Sequence, residues 1–349
     1  MAEVLETDVV VVGAGIIGSW TALHVARAGR KIILLDQFPL PHSRGSSHGQ
    51  SRINRLANFG DAALTGIMRD AFTQWESLQQ DSGSNLFRPA SLLALGLGKQ
   101  RQLLEKIAAS VEVGGHTPVW LTSQCLKDKY GINVVDDGMA VLDPSGGVLM
   151  ADKCLAAVQQ VFSQTHGIIV DSWPVDDILV ATEGQAEVKG PRGTVRANVV
   201  VLCPGPWAGP LLAKLDVHIP LKVEKISVLY WRIQNPGFTT TTFIDFHDPR
   251  GHFYGLPELE YPGLVKVVFH GGPEVKPDER DEGGRDEEMR KMVSDYVRKT
   301  FPFLHPHPVI QETCLYTCSP DQEMVVDRHH KNKNIIFACG FSGELLCCL

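Results

Sequence analysis

The stretch that most constrains the fold lies between Val9 and Asp36, near the start of a chain of 349 residues. It opens with a short apolar run, which is typical of a strand covered on both faces. A glycine-rich turn, GAGIIG, follows and leads into an amphipathic helix that we predict to end near Ala28. Gly29 stops the helix, and a second buried strand over residues 31–35 runs into Asp36. This order of elements predicts two neighbouring parallel strands joined by a helix.

The residue types in this turn predict a dinucleotide site. Gly13 allows a tight turn, Gly15 lets a pyrophosphate approach the backbone, and Gly18 lets the helix pack closely on the strand. The helix N-terminus directs free N–H groups and a positive dipole end toward phosphates, and Asp36 is placed to accept hydrogen bonds from ribose hydroxyls. An ordinary turn between a strand and a helix is the alternative. The residues predicted to contact the dinucleotide here are Gly13, Ala14, Gly15, Ile16, Ile17, Gly18, Asp36 and Gln37.

Bulk composition excludes several function classes. With 44% hydrophobic and 21% charged residues, the chain is typical of globular proteins, and its length suggests one large domain or two. A net charge of −7 offers no basic surface for nucleic acid, and no apolar run reaches the ~20 residues of a membrane-spanning helix. The acidic N-terminus predicts no secretory signal, so the eight cysteines are expected to be thiols in a reducing compartment.

Apolar patterns predict the remaining elements. Helices are predicted at residues 62–80, 99–110 and 152–164 and along an apolar stripe at 289–297, and strands at 90–97, 138–148, 167–170, 195–203 and 334–339. Between residues 223 and 270 the pattern changes to alternating strands, which favours an antiparallel sheet in a second domain. The polar loop over residues 39–55 is too long for a plain connection, and such loops are often functional. The dinucleotide-binding sheet is therefore predicted to come from separated segments, with the antiparallel domain inserted between them.

Six sequence segments together carry a family resemblance. In chain order they are GAGIIG, PHSRGSSHGQSRINR, HFYGLP, LVKVVFH, ETCLYTCSPDQEMVVDRH and FACGFSG. They resemble the sarcosine oxidase family, whose peroxisomal members are also called L-pipecolate oxidases and whose bacterial members are monomeric sarcosine oxidases. The similarity extends from Asp8 to Gly343. It implies an α/β fold, with a Rossmann-type FAD-binding domain and an inserted antiparallel-sheet substrate domain.

The resemblance also implies an activity and domain bounds. Family members use FAD to oxidise secondary amino acids to imines and reduce O₂ to hydrogen peroxide; sarcosine, L-pipecolate and L-proline are the candidate substrates. The implied FAD-binding domain comprises residues 1–85, 145–220 and 320–349. The implied substrate domain comprises residues 86–144 and 221–319.

Cys314, in the motif CLYT, matches the family cysteine that bonds the flavin 8α-methyl group through sulfur. The resemblance therefore implies covalently held FAD. A buried structural thiol is the alternative. Cys318 lies four residues further on and is the competing candidate for the tether.

Lys266 matches the family lysine near flavin N5 that is implicated in oxygen activation. A cation beside the reduced flavin would stabilise developing negative charge, most strongly in a dry site. Within the apolar segment LVKVVF a buried lysine is costly without such a partner, although strand alternation could instead direct it to solvent. His270 lies four residues on, on the same face of an extended strand. It matches an active-site histidine, and a structural histidine is the alternative.

Arg52 and Arg55 match the arginines of a T/S-R-I-x-R motif in the family. Arg52 is implied to face the flavin and bind the substrate carboxylate, which a guanidinium can do with two hydrogen bonds; a surface arginine is the alternative. Tyr254 and Tyr316 match tyrosines that line the substrate cavity, with core packing as the alternative. The implied catalytic set is Lys266, Arg52, His270, Tyr254 and Tyr316.

The other implied FAD contacts come mainly from the polar loop, which wraps the flavin in the family, and from the turn after residues 195–203. This implied set is Ser46, His48, Ser51, Arg52, Val175, Gly205 and Cys314.

The chain departs from the family pattern after GFSG. The family continues with a His-Gly-Phe-Lys stretch and a long helix, whereas this sequence has ELLCCL at residues 344–349. The missing helix would stabilise an anionic reduced ring with its N-terminus, and the missing lysine would be a second cation on the substrate carboxylate. The usual peroxisomal C-terminal tripeptide is also absent, so the resemblance implies a peroxisomal location while this ending favours the cytoplasm.

Two other functions stay open on sequence alone. The ELLCCL ending fits a catalytically impaired or inactive FAD-binding product. A nicotinamide-dependent dehydrogenase would share the glycine turn, but hydride transfer to NAD needs no sulfur tether. The expected partners are an amino acid substrate and O₂, with no nucleic acid and no membrane. The family implies a monomer, although no residue pattern decides the oligomeric state.

Overall fold

The computed structural model describes residues 3–56, 65–180, 184–235, 241–282 and 285–343. Its helices are α1 (Ile16–Arg27), α2 (Thr65–Ser82), α3 (Arg101–Val113), α4 (Ser123–Tyr130), α5 (Ala151–Gln164), α6 (Ala208–Ala213) and α7 (Asp286–Thr300). Its strands are β1 (Glu3–Val12), β2 (Ile32–Leu35), β3 (Ser51–Asn54), β4 (Phe87–Pro89), β5 (Leu92–Gly96), β6 (Val119–Thr122), β7 (Met139–Asp143), β8 (Gly147–Met150), β9 (Ile168–Val170), β10 (Asp177–Val180), β11 (Ala186–Gly190), β12 (Gly193–Leu202), β13 (Lys222–Ile233), β14 (Thr242–Asp245), β15 (Phe253–Leu256), β16 (Leu264–Phe269), β17 (Leu304–Cys318), β18 (Val325–Arg328) and β19 (Ile335–Cys339).

The first sheet has the predicted parallel centre. Its order is β10-β11-β12-β1-β2-β9, with β19 beside β12 and β18 beside β19. The pairs of β1 with β2 and β12, of β2 with β9, and of β12 with β19 are all parallel. Because these strands come from the two ends and the middle of the chain, the prediction of a sheet built from separated segments is confirmed.

The glycine turn lets α1 pack directly on this sheet. Gly13 has a φ of +103°, and a Cβ there would lie 2.2 Å from the carbonyl oxygen of Cys203. A Cβ on Gly18 would lie 1.8 Å from the carbonyl oxygen of Gly13. Trp20 and Leu23 on the inner face of α1 then enter one apolar core with α5. The predicted packing roles of Gly13 and Gly18 are therefore confirmed.

The second sheet has the order β17-β13-β16-β15-β14-β5-β7-β6. Its neighbours pair antiparallel, as predicted, except that β14 and β5 are parallel. β5 comes from an earlier part of the chain, so its direction relative to β14 is not set by a hairpin turn. Helix α7 covers one face, where Val293 and Val297 join the core around Trp231. A small third sheet, β3-β8-β4, has no strand pairing with either of these two.

Strand β17 is the main element that the sequence analysis missed. Its pairing with β13 extends from Cys318 opposite Lys222 to Leu304 opposite Ile233. The register shifts on both sides of Trp231, which lies opposite Pro308. Proline cannot donate a ladder hydrogen bond and so argues against a strand in the sheet interior. Because β17 is an edge strand, its prolines are tolerated there. The consequence is that this strand carries Cys314 and Tyr316 into the site.

The other predicted elements differ mainly in their bounds. The helix predicted at residues 62–80 is observed as α2, and the first three residues of that prediction lie outside the described ranges. The segment predicted as a strand and turn at 138–148 contains two strands, β7 and β8. The predicted domain bounds remain a prediction. Within the described ranges no helix combines the length and apolar character needed to cross a membrane.

Gly18→Ala tests the close contact between α1 and the glycine turn. The added Cβ forces backbone to move, so the free energy of unfolding should fall by about 1–3 kcal/mol. Gly209→Ala in α6 is the matched control, because its Cβ would meet no atom within 4 Å in the described part of the chain. The control should be neutral or stabilising by up to ~1 kcal/mol. Urea unfolding followed by circular dichroism measures both, and equal stabilities would contradict this packing.

Candidate active site

A cavity of about 490 Å³ runs along the carboxyl edge of the first sheet, from the glycine turn past the polar loop to β17. Its volume is within the range of small-molecule and cofactor sites. The predicted site residues that line it are Gly13, Ala14, Gly15, Ile16, Ile17, Asp36, Gln37, Ser46, His48, Arg52, Val175, Gly205 and Tyr316. Six predicted residues lie outside this lining: Gly18, Ser51, Tyr254, Lys266, His270 and Cys314.

The carboxylate of Asp36 is fixed in the cavity wall beside the glycine turn. One oxygen accepts the Ala14 N–H at 2.8 Å, and the other accepts the Phe38 N–H at 2.9 Å. The expectation of free N–H groups at the start of α1 is wrong for Ile16, whose N–H donates to Ser47 Oγ at 3.0 Å. A serine from the polar loop thus reaches the helix N-terminus, where positive potential attracts oxygen.

Arg52 organises the polar loop around its guanidinium. Nη1 donates to the Ser51 carbonyl at 2.7 Å, and Nη2 donates to the carbonyls of Ser46 at 3.0 Å and His48 at 2.7 Å. The His48 ring in turn reaches the Thr313 carbonyl on β17 at 2.8 Å. The loop is therefore held against β17, and the alternative of a surface arginine is wrong.

Cys314 lies where this loop meets β17. Its Sγ is 3.8 Å from Arg52 Nη2 and 3.8 Å from the Ser46 carbonyl oxygen, and both of those residues line the cavity. Cys318 is also buried, but it lies at the end of β17 beside Phe341. Burial raises the pKa of the Cys318 thiol to about 11, which disfavours the reactive thiolate. Neither sulfur belongs to the cavity lining: Cys314 contacts lining residues of the polar loop, whereas Cys318 lies beside Phe341 and Ser342, which line the cavity at the end of β17.

Lys266 lies at the centre of β16 and is only 6% exposed, so the alternative that it points to solvent is wrong. Its Nζ is 2.5 Å from Glu260 Oε1 and donates to Ser51 Oγ at 2.7 Å. Tyr230 is its cross-strand neighbour, with the ring centroid 5.5 Å from Nζ. Burial lowers the pKa of Lys266, and the charge of Arg52 lowers it further, whereas Glu260 raises it.

Tyr316, which lines the cavity, forms one cluster with Tyr254 and His270 behind it. The hydroxyls of the two tyrosines are 3.1 Å apart, and the His270 ring centroid is 4.9 Å from that of Tyr316. Burial raises the pKa of Tyr254 to about 12, so its hydroxyl stays protonated near neutral pH. His252 stacks on His270 with ring centroids 4.1 Å apart. The structure thus brings together the three residues that the resemblance grouped.

The donor set of this cavity fits the FAD that the resemblance implies. At the glycine turn there are helix N–H groups and an acidic side chain, as a ribose and a pyrophosphate require. At the β17 end, Thr317 Oγ1 is buried and has no hydrogen-bond partner among the described residues, although Thr317 lines the cavity. A buried hydroxyl without a partner is costly, so a polar ligand group there would satisfy it.

The structure adds four residues to the site that sequence reasoning missed: Ser47, His252, Glu260 and Thr317. Ser47 directly follows Ser46, and Thr317 directly follows Tyr316. Their position next to residues that the resemblance implies is the sequence signal that could have identified them. His252 opens the HFYGLP segment, and its stacking on His270 depends on strand pairing. Glu260 lies in a turn between β15 and β16, and no local pattern distinguishes it from an exposed acid.

Comparisons with known proteins show which family the chain resembles. The family model described as FAD dependent oxidoreductase matches residues 8–347. The chain is 39% identical to the peroxisomal sarcosine oxidase of Homo sapiens, covering 97% of this chain and 87% of that protein. It is 30% identical to the monomeric sarcosine oxidase of Bacillus sp. (strain NS-129), covering 97% of this chain and 88% of that protein. Its fold is similar to that of NikD, an amino acid oxidase, with a TM-score of 0.85 at 22% identity over 98% of this chain and 92% of the other.

His252→Gln tests the burial of the stacked histidine pair. Burial, followed by the charges of His270 and Arg55, lowers the pKa of His252 to about 3. The unfolded chain binds a proton here near pH ~6.5, and the folded chain does not, so stability should fall as the pH drops from about 6.5 toward about 3. The variant removes this titration and should therefore lose less stability between about pH 7.5 and pH 5.

Urea unfolding at several pH values measures this difference. His218→Gln is the control, because that side chain is 75% exposed; it should retain the pH dependence of the unmodified chain. An equal loss of stability in the His252→Gln variant and the unmodified chain would contradict the assignment.

Proposed function

We propose that this chain oxidises secondary amino acids of the sarcosine and L-pipecolate type to imines while O₂ becomes H₂O₂. The premise is that the chain belongs to the FAD dependent oxidoreductase family and is a flavin-dependent amine oxidase. The observation that carries the proposal is that Arg52 lines the cavity while a thiol, Cys314, and an ammonium, Lys266, lie directly behind that part of the lining. Arg52 contacts Cys314, and Lys266 contacts Ser51, the neighbour of Arg52. When bound, FAD supplies the two-electron acceptor for the amine and the donor for O₂.

Arg52 is the proposed carboxylate ligand. Three of its five N–H donors are taken by backbone carbonyls. Nε–H and one Nη1–H stay available among the described contacts, and each can donate a charge-assisted hydrogen bond to a carboxylate. Because the carbonyls hold the guanidinium rigidly, the substrate is oriented without ordering a long side chain.

Lys266 is the proposed cation for oxygen reduction. It is buried away from water, where one positive charge stabilises developing negative charge far more than in solvent. Tyr254 and Tyr316 remain protonated and supply hydroxyls near the substrate carboxylate, since burial raises both pKa values. We assign His270 to ordering the amine beside these tyrosines, with which it packs.

Cys314 is the proposed covalent tether. With FAD bound, Cys314 would hold it through a thioether to the 8α-methyl group, a two-electron oxidation for which O₂ would be the acceptor and H₂O₂ the product. The proposal is supported by the position of the Cys314 sulfur, 3.8 Å from Nη2 of Arg52, which lines the cavity.

The proposal extends to location and assembly. A peroxisomal location is proposed because relatives from Mus musculus and Homo sapiens carry that word in their names. A monomer is proposed because the bacterial relatives are named monomeric. Residues 344–349, on which the sequence analysis based a loss of activity and of targeting, lie outside the described ranges.

Anaerobic mixing with substrate tests the proposed reaction. The FAD-loaded chain should lose its visible flavin absorption with sarcosine or L-pipecolate, and admitting O₂ should restore it and release H₂O₂. Glycine, a primary amine, is the comparison and should bleach the flavin at least ~10-fold more slowly. Absence of bleaching with both secondary amines would overturn the substrate class.

Cys314→Ser tests the tether. Acid precipitation should release FAD from this variant but not from Cys318→Ser, the matched control on the same strand. The intact mass should include the flavin in the unmodified chain and in the control only. A flavin adduct that survives in Cys314→Ser, or one that is lost in Cys318→Ser, would contradict Cys314 as the attachment site.

A further inference from the structure

Glu260 is a buried carboxylate in contact with the proposed oxygen-reducing cation. It lies between β15 and β16, and its side chain is only 5% exposed. One oxygen lies 2.5 Å from Lys266 Nζ and also accepts the Ser51 hydroxyl. The other accepts the Tyr230 hydroxyl at 2.5 Å. Glu260 is thus held from both sides, and Lys266 has a fixed counter-ion.

The charges facing Lys266 come from several elements. Arg52 in β3 opposes the ammonium form, while Glu260 and Glu312 favour it. Glu312 is the more remote carboxylate: it lies 3.1 Å from the Tyr230 hydroxyl and accepts the Tyr261 hydroxyl at 2.5 Å. Burial raises the pKa of Glu260, but Lys266 and three hydrogen bonds bring it below its ordinary value. Glu260 is therefore the charged group that contacts and neutralises the ammonium.

Resting on the proposed function, we propose that Glu260 is a positioning residue for the oxidative half-reaction, which keeps Lys266 an ammonium and fixes its Nζ. In that half-reaction O₂ gains two electrons and two protons and leaves as H₂O₂. Without Glu260, the buried Lys266 would face Arg52 without a contacting anion, and it would lose its proton at a lower pH. The loss of that proton removes the positive charge from the place where negative charge develops on O₂.

The first test measures the Lys266 ammonium itself. In chain labelled with ¹³C at lysine Cε, the resonance absent from Lys266→Met identifies Lys266. Glu260→Gln should lower its titration midpoint by at least about one pH unit. Glu258→Gln is the matched control, since that acid lies in the same turn, is exposed, and bonds the Gly263 N–H rather than Lys266. The control should leave the midpoint unchanged.

The second test measures reoxidation without any amine. Bound flavin is reduced with light and then mixed with O₂. Glu260→Gln should slow reoxidation about tenfold or more near pH 8 and recover near pH 6 as Lys266 regains its proton. Lys266→Met should be slow at both pH values. In the Lys266→Met background, Glu260→Gln should change the rate by less than about twofold, because the residue acts only through Lys266.

Three results would overturn the proposal: an unchanged Lys266 midpoint in Glu260→Gln, equal slowing at both pH values, or further slowing in the double variant. The double variant buries no unpaired charge, so its comparison with Lys266→Met stands even if Glu260→Gln alone does not fold. The NMR and reoxidation tests need no amine. Failure of sarcosine and L-pipecolate to bleach the flavin would overturn the proposed function and leave these tests of Glu260 intact.

Discussion

The placement of two neighbouring cations, Lys266 in the interior and Arg52 in the cavity wall, is the constraint on which the rest of the site depends. A charge removed from water without a partner costs several kcal/mol, so the fold must supply partners for both side chains. For Arg52 these are three backbone carbonyls of the polar loop, which the guanidinium gathers into one conformation. For Lys266 they are a carboxylate and a hydroxyl. The shape of the loop and the position of Glu260 follow from this need.

The same constraint explains why the site is built from distant parts of the chain. Ser51 bonds both Lys266 and Glu260, so the polar loop and the β15–β16 turn are fixed to each other. The loop also reaches β17 through His48, and β17 brings the proposed tether into contact with Arg52. Because the bonds to Lys266, Thr313 and Cys314 join the polar loop to strands of the second sheet, the cavity that this loop lines lies between both sheets. A dinucleotide lying along it would have its phosphates at the first sheet and its reactive ring near the second.

The sequence could predict what local patterns encode. The unit from β1 to β2 was predictable because its strands, glycines and acid follow one another and each has a local physical role. The burial of Lys266 could be anticipated because a lysine in an apolar strand needs a partner. The identity of that partner could not, since Glu260 contacts Lys266 only after β15 and β16 pair. Strand β17 was missed because its prolines argue against a strand, and only its edge position makes them acceptable. The Ser47 bond to α1 could not be predicted either, because it joins a loop residue to a helix residue 31 positions earlier in the chain.

A crystal structure of the FAD-loaded chain tests directly whether FAD lies along the cavity from the glycine turn to β17. The pyrophosphate should lie at the N–H groups of the glycine turn, the ribose beside Asp36, and the isoalloxazine ring against Arg52, Tyr316 and Thr317, with continuous density to the Cys314 sulfur. A nucleotide bound elsewhere, or a flavin ring in this cavity that lies away from Arg52 and Cys314, would contradict it.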